Sequence, residues 1–155
     1  TEFGYSDLAF SMITRPDYPS YGNWIARGAT TLWEVFQPEG SDRIGSLNHH
    51  FWGDISSWFT QTLSGIRMAP HGEPNEVDFR PSFISRLTHA EAFHIAPAGR
   101  IASAWERDED DVIVLTVELP STMHGVIRLE SGYVFEDGLA YKAAESGTYR
   151  IHSIE

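Results

Sequence analysis

MAPHGEPNE, residues 68–76, is where the apolar periodicity of this chain changes. Its two prolines and one glycine read as a linker. Upstream of it, apolar residues recur at helical spacing. Tyr5, Leu8, Ala9, Met12 and Ile13 fall at i, i+3, i+4, i+7 and i+8, the stripe of an amphipathic helix, which Pro16 and Pro19 stop. Ser20 suits the N-cap of a short second helix with Tyr21, Trp24 and Ile25 on one face. Gly28 suits the left-handed residue that ends it. The segment after Gly28, ATTLWEVF, leaves that helix as an ordered extended loop, with Pro38, Gly40 and Gly45 beyond it. A third helix is expected from about Leu47 to Arg67. There Phe51, Ile55, Phe59 and Leu63 step by four, and Trp52, Trp58 and Ile66 widen the stripe. Asp54 near its start and Arg67 at its end suit the helix dipole.

Downstream of the linker the period is two. RIASAW (100–105), DVIVLTVEL (111–119), HGVIRLE (124–130) and TYRIHSI (148–154) read as strands, and residues 79–94 are expected to supply two more. Gly, Pro, Asp and Ser at short spacing between them fit an antiparallel sandwich. The fold class is therefore α+β: helices over residues 1–72, then a β-sandwich over 73–155. Three wide apolar stripes are more than these helices can bury against one another, so the helical part is expected to belong to a larger helical assembly. A first residue Thr1, already inside what reads as a helix, points the same way.

With 155 residues, 41% hydrophobic and 13% aromatic, the chain can bury a core. Its five Trp, six Tyr and nine Phe suit core packing first, and stacking of sugar rings second. A formal net charge of −11 argues against nucleic acid or an anionic membrane surface as partner. Without cysteine there are no disulfides or thiolate metal sites, and the compartment stays open. No apolar run approaches the roughly 20 residues that span a bilayer.

Glu34 is the leading candidate for chemistry. It closes an otherwise uncharged run, between Trp33 and Phe36, and a carboxylate beside apolar rings tends to be desolvated as a general base requires. The plainer alternative is a loop carboxylate facing water. His49 and His50 stand at the expected start of the third helix, where a backbone hydrogen bond would account for either. A metal site built on His50 and Asp54 at i, i+4 lacks a third clustered histidine, and no cofactor is implied. ERDEDD (106–111) reads as a solvated hairpin loop, with a Ca²⁺ site on its aspartates as the lesser reading. Neither a Ser-His-Asp order nor a Gly-rich phosphate loop is present.

YPSYGNWIARGATTLWEVF (18–36), followed by SLNHHFWGDISSWFTQTLSGI (46–66), resembles the end of the catalytic domain of the bacterial α-L-rhamnosidases of glycoside hydrolase family 78. Members carry runs close to Y-P-S-W-x-x-x-I-x-x-G-A-T-T-x-W-E, then S-x-N-H and an aromatic-rich helix. GRIASAWER (99–107) is similar to a G-x-I-x-S-x-W segment of that family's C-terminal β-sandwich. The resemblance implies the last helices of an (α/α)6 barrel followed by the sandwich, and hydrolysis of terminal α-L-rhamnosyl residues with inversion. It implies Glu34 as general base, His49 as a ligand of sugar hydroxyls and Trp33 beside them as a substrate contact. His50 stands where the family commonly has an aromatic residue, and the loop between the two motifs is shorter than in some members.

Inversion also needs a carboxylic acid on the opposite side of the glycosidic bond. The family's R-D-E-R-x-G-W-x-G-D stretch, which would supply it, is absent from this sequence. The expected partners are thus a rhamnose-containing glycoside or polysaccharide and the rest of the barrel, and the chain alone is expected to be inactive. Two other roles remain for the sandwich. It could bind carbohydrate, with Trp105 and Tyr133 as its candidate platform, or it could be purely structural.

Overall fold

The computed structural model describes residues 3–42 and 45–154. The chain divides into two compact units, one running to Ser57 and the other starting at Trp58.

The first unit opens with helix α1 (Ser6–Thr14). Arg15 ends it at φ −60°, ψ 144°, the extended conformation that a following proline imposes. Helix α2 (Tyr21–Ala26) starts as the sequence predicts, with the Ser20 hydroxyl accepting the Asn23 N–H at 2.8 Å. Gly22 is required at its start, because a Cβ there would lie 2.4 Å from the carbonyl oxygens of Thr14 and Arg15. The end of α2 is a Schellman cap. Gly28 has φ +83°, its N–H donates to the Ile25 carbonyl, and the Ala29 N–H donates to the Trp24 carbonyl.

Trp24, 2% exposed, is the hub of this unit. Phe36 stacks on it with centroids 4.3 Å apart, Tyr21 meets it edge-on at 5.3 Å, and Trp33 lies tilted at 6.0 Å. Phe36 in turn touches Trp52. The α1 stripe, by contrast, stands in solvent: Tyr5, Leu8 and Met12 are each more than half exposed.

The expected third helix is much shorter than residues 47–67. Regular helix covers only α3 (Ile55–Trp58) and a π-helical turn, Phe59–Leu63, which together span the junction of the units. At the front, the Gly53 N–H donates to the His50 carbonyl, a three-residue turn in place of a helical one. At the back, Gly65 adopts φ +78° where any Cβ would sit 2.2 Å from the Pro81 nitrogen. Ile66 and Arg67, read as helix, instead open the first strand of the sandwich.

In the second unit, one sheet contains β1 (Ile66–Met68), β2 (Val77–Phe79), β6 (Val126–Arg128) and β8 (Tyr141–Ala143), in that order. The other is ordered β3 (His89–Ala96), β4 (Gly99–Arg107), β5 (Ile113–Glu118), β9 (Gly147–Ser153) and β7 (Tyr133–Phe135). Between named strands all pairings are antiparallel except β2 with β6, which run parallel at Phe79 and Ile127. Strict alternation builds the core: Ile101, Ser103 and Trp105 of β4 and Ile113, Leu115 and Val117 of β5 point inward. They meet Ile66, Val77, Phe79 and Ile127 from the facing sheet. The buried Asp78 carboxylate crosses from β2 toward β6, accepting the Val126 N–H at 3.3 Å and pairing with Arg80 at 2.5 Å.

Candidate functional site

The candidate site is assembled within the first unit, where two loop segments run side by side. The His49 N–H donates to the Leu32 carbonyl at 2.8 Å, and the Glu34 N–H donates to the Ser46 carbonyl at 2.9 Å. Thr31 adds a hydroxyl bond to the Leu47 carbonyl. Residues 31–34 and 46–49 are therefore tied together by these bonds, which puts Glu34 and His49 on adjacent, mutually fixed backbone.

The Glu34 side chain is exposed, and its Oε2 accepts the Ser46 N–H at 2.8 Å. One carboxylate oxygen is thus oriented by a backbone dipole, and among the described residues no second donor bonds to the group. Gly45 lies against it, for a Cβ there would meet Glu34 Oε2 at 3.3 Å and Val35 Cγ2 at 3.1 Å. The backbone beneath is also held, because the Trp52 indole N–H donates to the Glu34 carbonyl at 2.9 Å. Trp52 is fixed in turn by the Tyr21 hydroxyl, which donates to its carbonyl at 3.3 Å. Burial, and secondarily the charge of Asp54, pushes the Tyr21 phenol up from its ordinary value of 10.0.

The Trp33 ring packs on Trp24, with the Arg27 guanidinium 5.2 Å from its centroid. It is half-buried.

His49 is half-buried, and the Phe51 N–H donates to its Nδ1 at 3.1 Å. A nitrogen that accepts cannot carry the ring hydrogen, so the neutral imidazole bears it on Nε2. His49 therefore offers an N–H donor, suited to a hydroxyl or carbonyl oxygen. The His50 ring stacks parallel on it with centroids 5.3 Å apart. Among the described residues, no group of three or more His, Asp or Glu side chains is placed to hold a metal ion.

The sequence singles out Glu34, His49 and Trp33 as candidates and gives no such role to Gly45, Ser46, Trp52 or Tyr21, which the structure places against Glu34 or, for Tyr21, against Trp52. Ser46 and Asn48 did carry a signal, as a serine followed two residues later by asparagine favours a local turn. The indole bond of Trp52 had none, because it joins residues 18 apart through a side chain. In the second unit, Trp105 lies in the core and is no sugar platform, while Tyr133 is half-buried. Trp105 is 2% exposed and Tyr133 packs on Phe83 at 4.9 Å. Glu106 and Arg107 of ERDEDD end β4, and Asp108 to Asp111 lie in the β4–β5 hairpin loop, where Asp108 Oδ1 accepts the N–H groups of Asp110 and Val112.

Residues 1–63 match the model of the bacterial alpha-L-rhamnosidase 6 hairpin glycosidase domain, and residues 75–133 that of the bacterial alpha-L-rhamnosidase C-terminal domain. An alpha-L-rhamnosidase of Streptomyces avermitilis is 26% identical over 169 aligned positions, covering 97% of this chain and 16% of its own length. One from Alteromonas sp. is 28% identical over 169 positions, covering 99% of this chain and 18% of its own. The chain thus spans less than a fifth of these relatives. The crystal structure of the Streptomyces avermitilis enzyme complexed with L-rhamnose superposes with a TM-score of 0.79 at 25% identity, covering 97% of this chain and 16% of that one. The two matched models lie in order along the sequence and belong to one family. The chain belongs to the bacterial α-L-rhamnosidases, with sequence from both their 6 hairpin glycosidase domain and their C-terminal domain.

Proposed function

We propose that this chain supplies the water-activating half of an inverting α-L-rhamnosidase active site, releasing terminal α-L-rhamnose from a rhamnoside. Glu34 is the general base. The observation that carries this reading is its carboxylate, open to solvent yet oriented by the Ser46 N–H and set on a backbone held at three points. An exposed carboxylate with free lone pairs can take a proton from water, and rigid placement aims that water at the anomeric carbon.

His49 donates from Nε2 to a sugar hydroxyl, and Trp33 borders the site at the level of the aromatic cluster. The general acid stands roughly 6.5–9.5 Å from Glu34, across the space for one water. It comes from barrel sequence outside these 155 residues, as do the remaining (α/α)6 helices. The sandwich is assigned a structural role, because its Trp105 is spent on the core and on the Leu63 carbonyl.

The test is a Glu34→Gln substitution in the full-length enzyme bearing this sequence, assayed on an aryl α-L-rhamnoside. Loss of activity with the fold intact is expected, and rhamnose released by the unsubstituted enzyme should first appear as the inverted anomer. Near-normal turnover by the variant would refute the assignment.

A further inference from the structure

The geometry points to Ser46 as a positioning residue that couples the base to the sugar-binding histidine, a role that rests on the reading of Glu34 and His49 above. Its backbone faces Glu34 from both ends: its N–H donates to Oε2 at 2.8 Å and its carbonyl accepts the Glu34 N–H at 2.9 Å. Its side chain faces the other way along the loop. Oγ accepts the Asn48 N–H at 3.2 Å and lies 3.1 Å from the Asn48 carbonyl, to which it can donate.

That side-chain turn sets the direction in which the chain leaves Ser46. It brings His49, the residue after Asn48, to its backbone bond with the Leu32 carbonyl. Ser46 therefore does two things with different atoms: its peptide orients the carboxylate, and its hydroxyl fixes the path to the imidazole. Alanine keeps the N–H but removes the hydroxyl, so the turn loosens and both Glu34 and His49 lose registration. Threonine retains the hydroxyl. Gly45 provides a contrast, since among the described residues the nearest neighbours of a methyl there are Val35 and Glu34.

The experiment measures kcat and KM on an aryl α-L-rhamnoside for the full-length enzyme and for Ser46→Ala, Ser46→Thr, Gly45→Ala and Glu34→Gln, with thermal melts to confirm folding. Misplacement of catalytic groups by a fraction of an ångström predicts a fall in kcat of about tenfold for Ser46→Ala, with KM raised about threefold. Ser46→Thr should recover both to within about twofold, and Gly45→Ala should lower kcat while leaving KM in place. Wild-type constants in Ser46→Ala, or no recovery in Ser46→Thr, overturn the role of Ser46. An active Glu34→Gln overturns the underlying assignment of the base instead, so the two failures are distinct.

Discussion

The indole N–H of Trp105, in the middle of β4, donates to the carbonyl of Leu63 at 2.7 Å. Leu63 is the last residue of the π-helical turn, and its carbonyl is one of those a helix leaves without an internal partner. The same stretch is tied to the sandwich twice more, by the Ser82 N–H to the Thr62 carbonyl and the Arg80 N–H to the Gly65 carbonyl, both at 2.8 Å. Strand β4 is thus also an anchor of the last helical run. Trp105→Phe keeps most of the ring but leaves that carbonyl unsatisfied. It should cost about 1–3 kcal/mol in urea unfolding, and an unchanged midpoint would mean the bond contributes nothing.

Gly125 lies where β6 approaches β2. A Cβ there would come within 1.7 Å of the Val77 carbonyl oxygen, which is backbone and cannot swing aside. Gly125→Ala should therefore destabilise by about 3 kcal/mol or more, the upper range for forced overpacking. The measurement is again the urea midpoint, and a variant as stable as the parent would show that the two strands can separate at little cost.

Asp137 gives stability a pH dependence with a defined sign. A hydrogen bond from Lys142, with a second from the Leu139 N–H, holds its carboxyl below the ordinary value of 3.8. A carboxylate whose pKa is depressed in the folded state contributes stability that is present above its unfolded value and is lost as pH falls through the folded value. Glu76, lowered from 4.5 by its bond with His71, acts in the same direction. Urea midpoints should therefore decline from about pH 4 downward. Asp137→Asn should make the decline shallower, and identical slopes would rule the pair out as a source of it.

The apolar surface of the first unit predicts how the chain behaves alone. Besides the α1 stripe, Ile25 is 72% exposed and Phe51 69%. Large contiguous apolar patches mark surfaces that other elements cover. The 155-residue chain is expected to self-associate in light scattering and to show no turnover of an aryl α-L-rhamnoside. A monodisperse monomer would contradict the first expectation and measurable hydrolysis the second.

Legibility in the sequence followed the locality of the forces. Helix α2 was readable at both ends, because Ser20 caps and Gly28 terminates through bonds within a few residues. Strands β4 and β5 were readable because alternation is itself the burial pattern. Strand β1 was not. Ile66 extends the helical stripe of residues 51–63, and only the approach of Gly65 to Pro81, distant in sequence, shows why the helix must end first. The three-residue strands β7 and β8 carry too few alternations to register. At the site, Glu34 was singled out by its place between Trp33 and Phe36 and, together with His49, by the family resemblance. What holds Glu34, the Ser46 N–H to its Oε2, its own N–H to the Ser46 carbonyl and the Trp52 indole N–H to its carbonyl, joins positions far enough apart that local spacing does not show it.

The most direct measurement is kcat of the full-length enzyme bearing this sequence against its Glu34→Gln variant on an aryl α-L-rhamnoside. Loss of a general base predicts a fall of about 10²–10⁴-fold with the fold intact. Activity within a few-fold of the parent would return Glu34 to being a solvent-facing loop carboxylate.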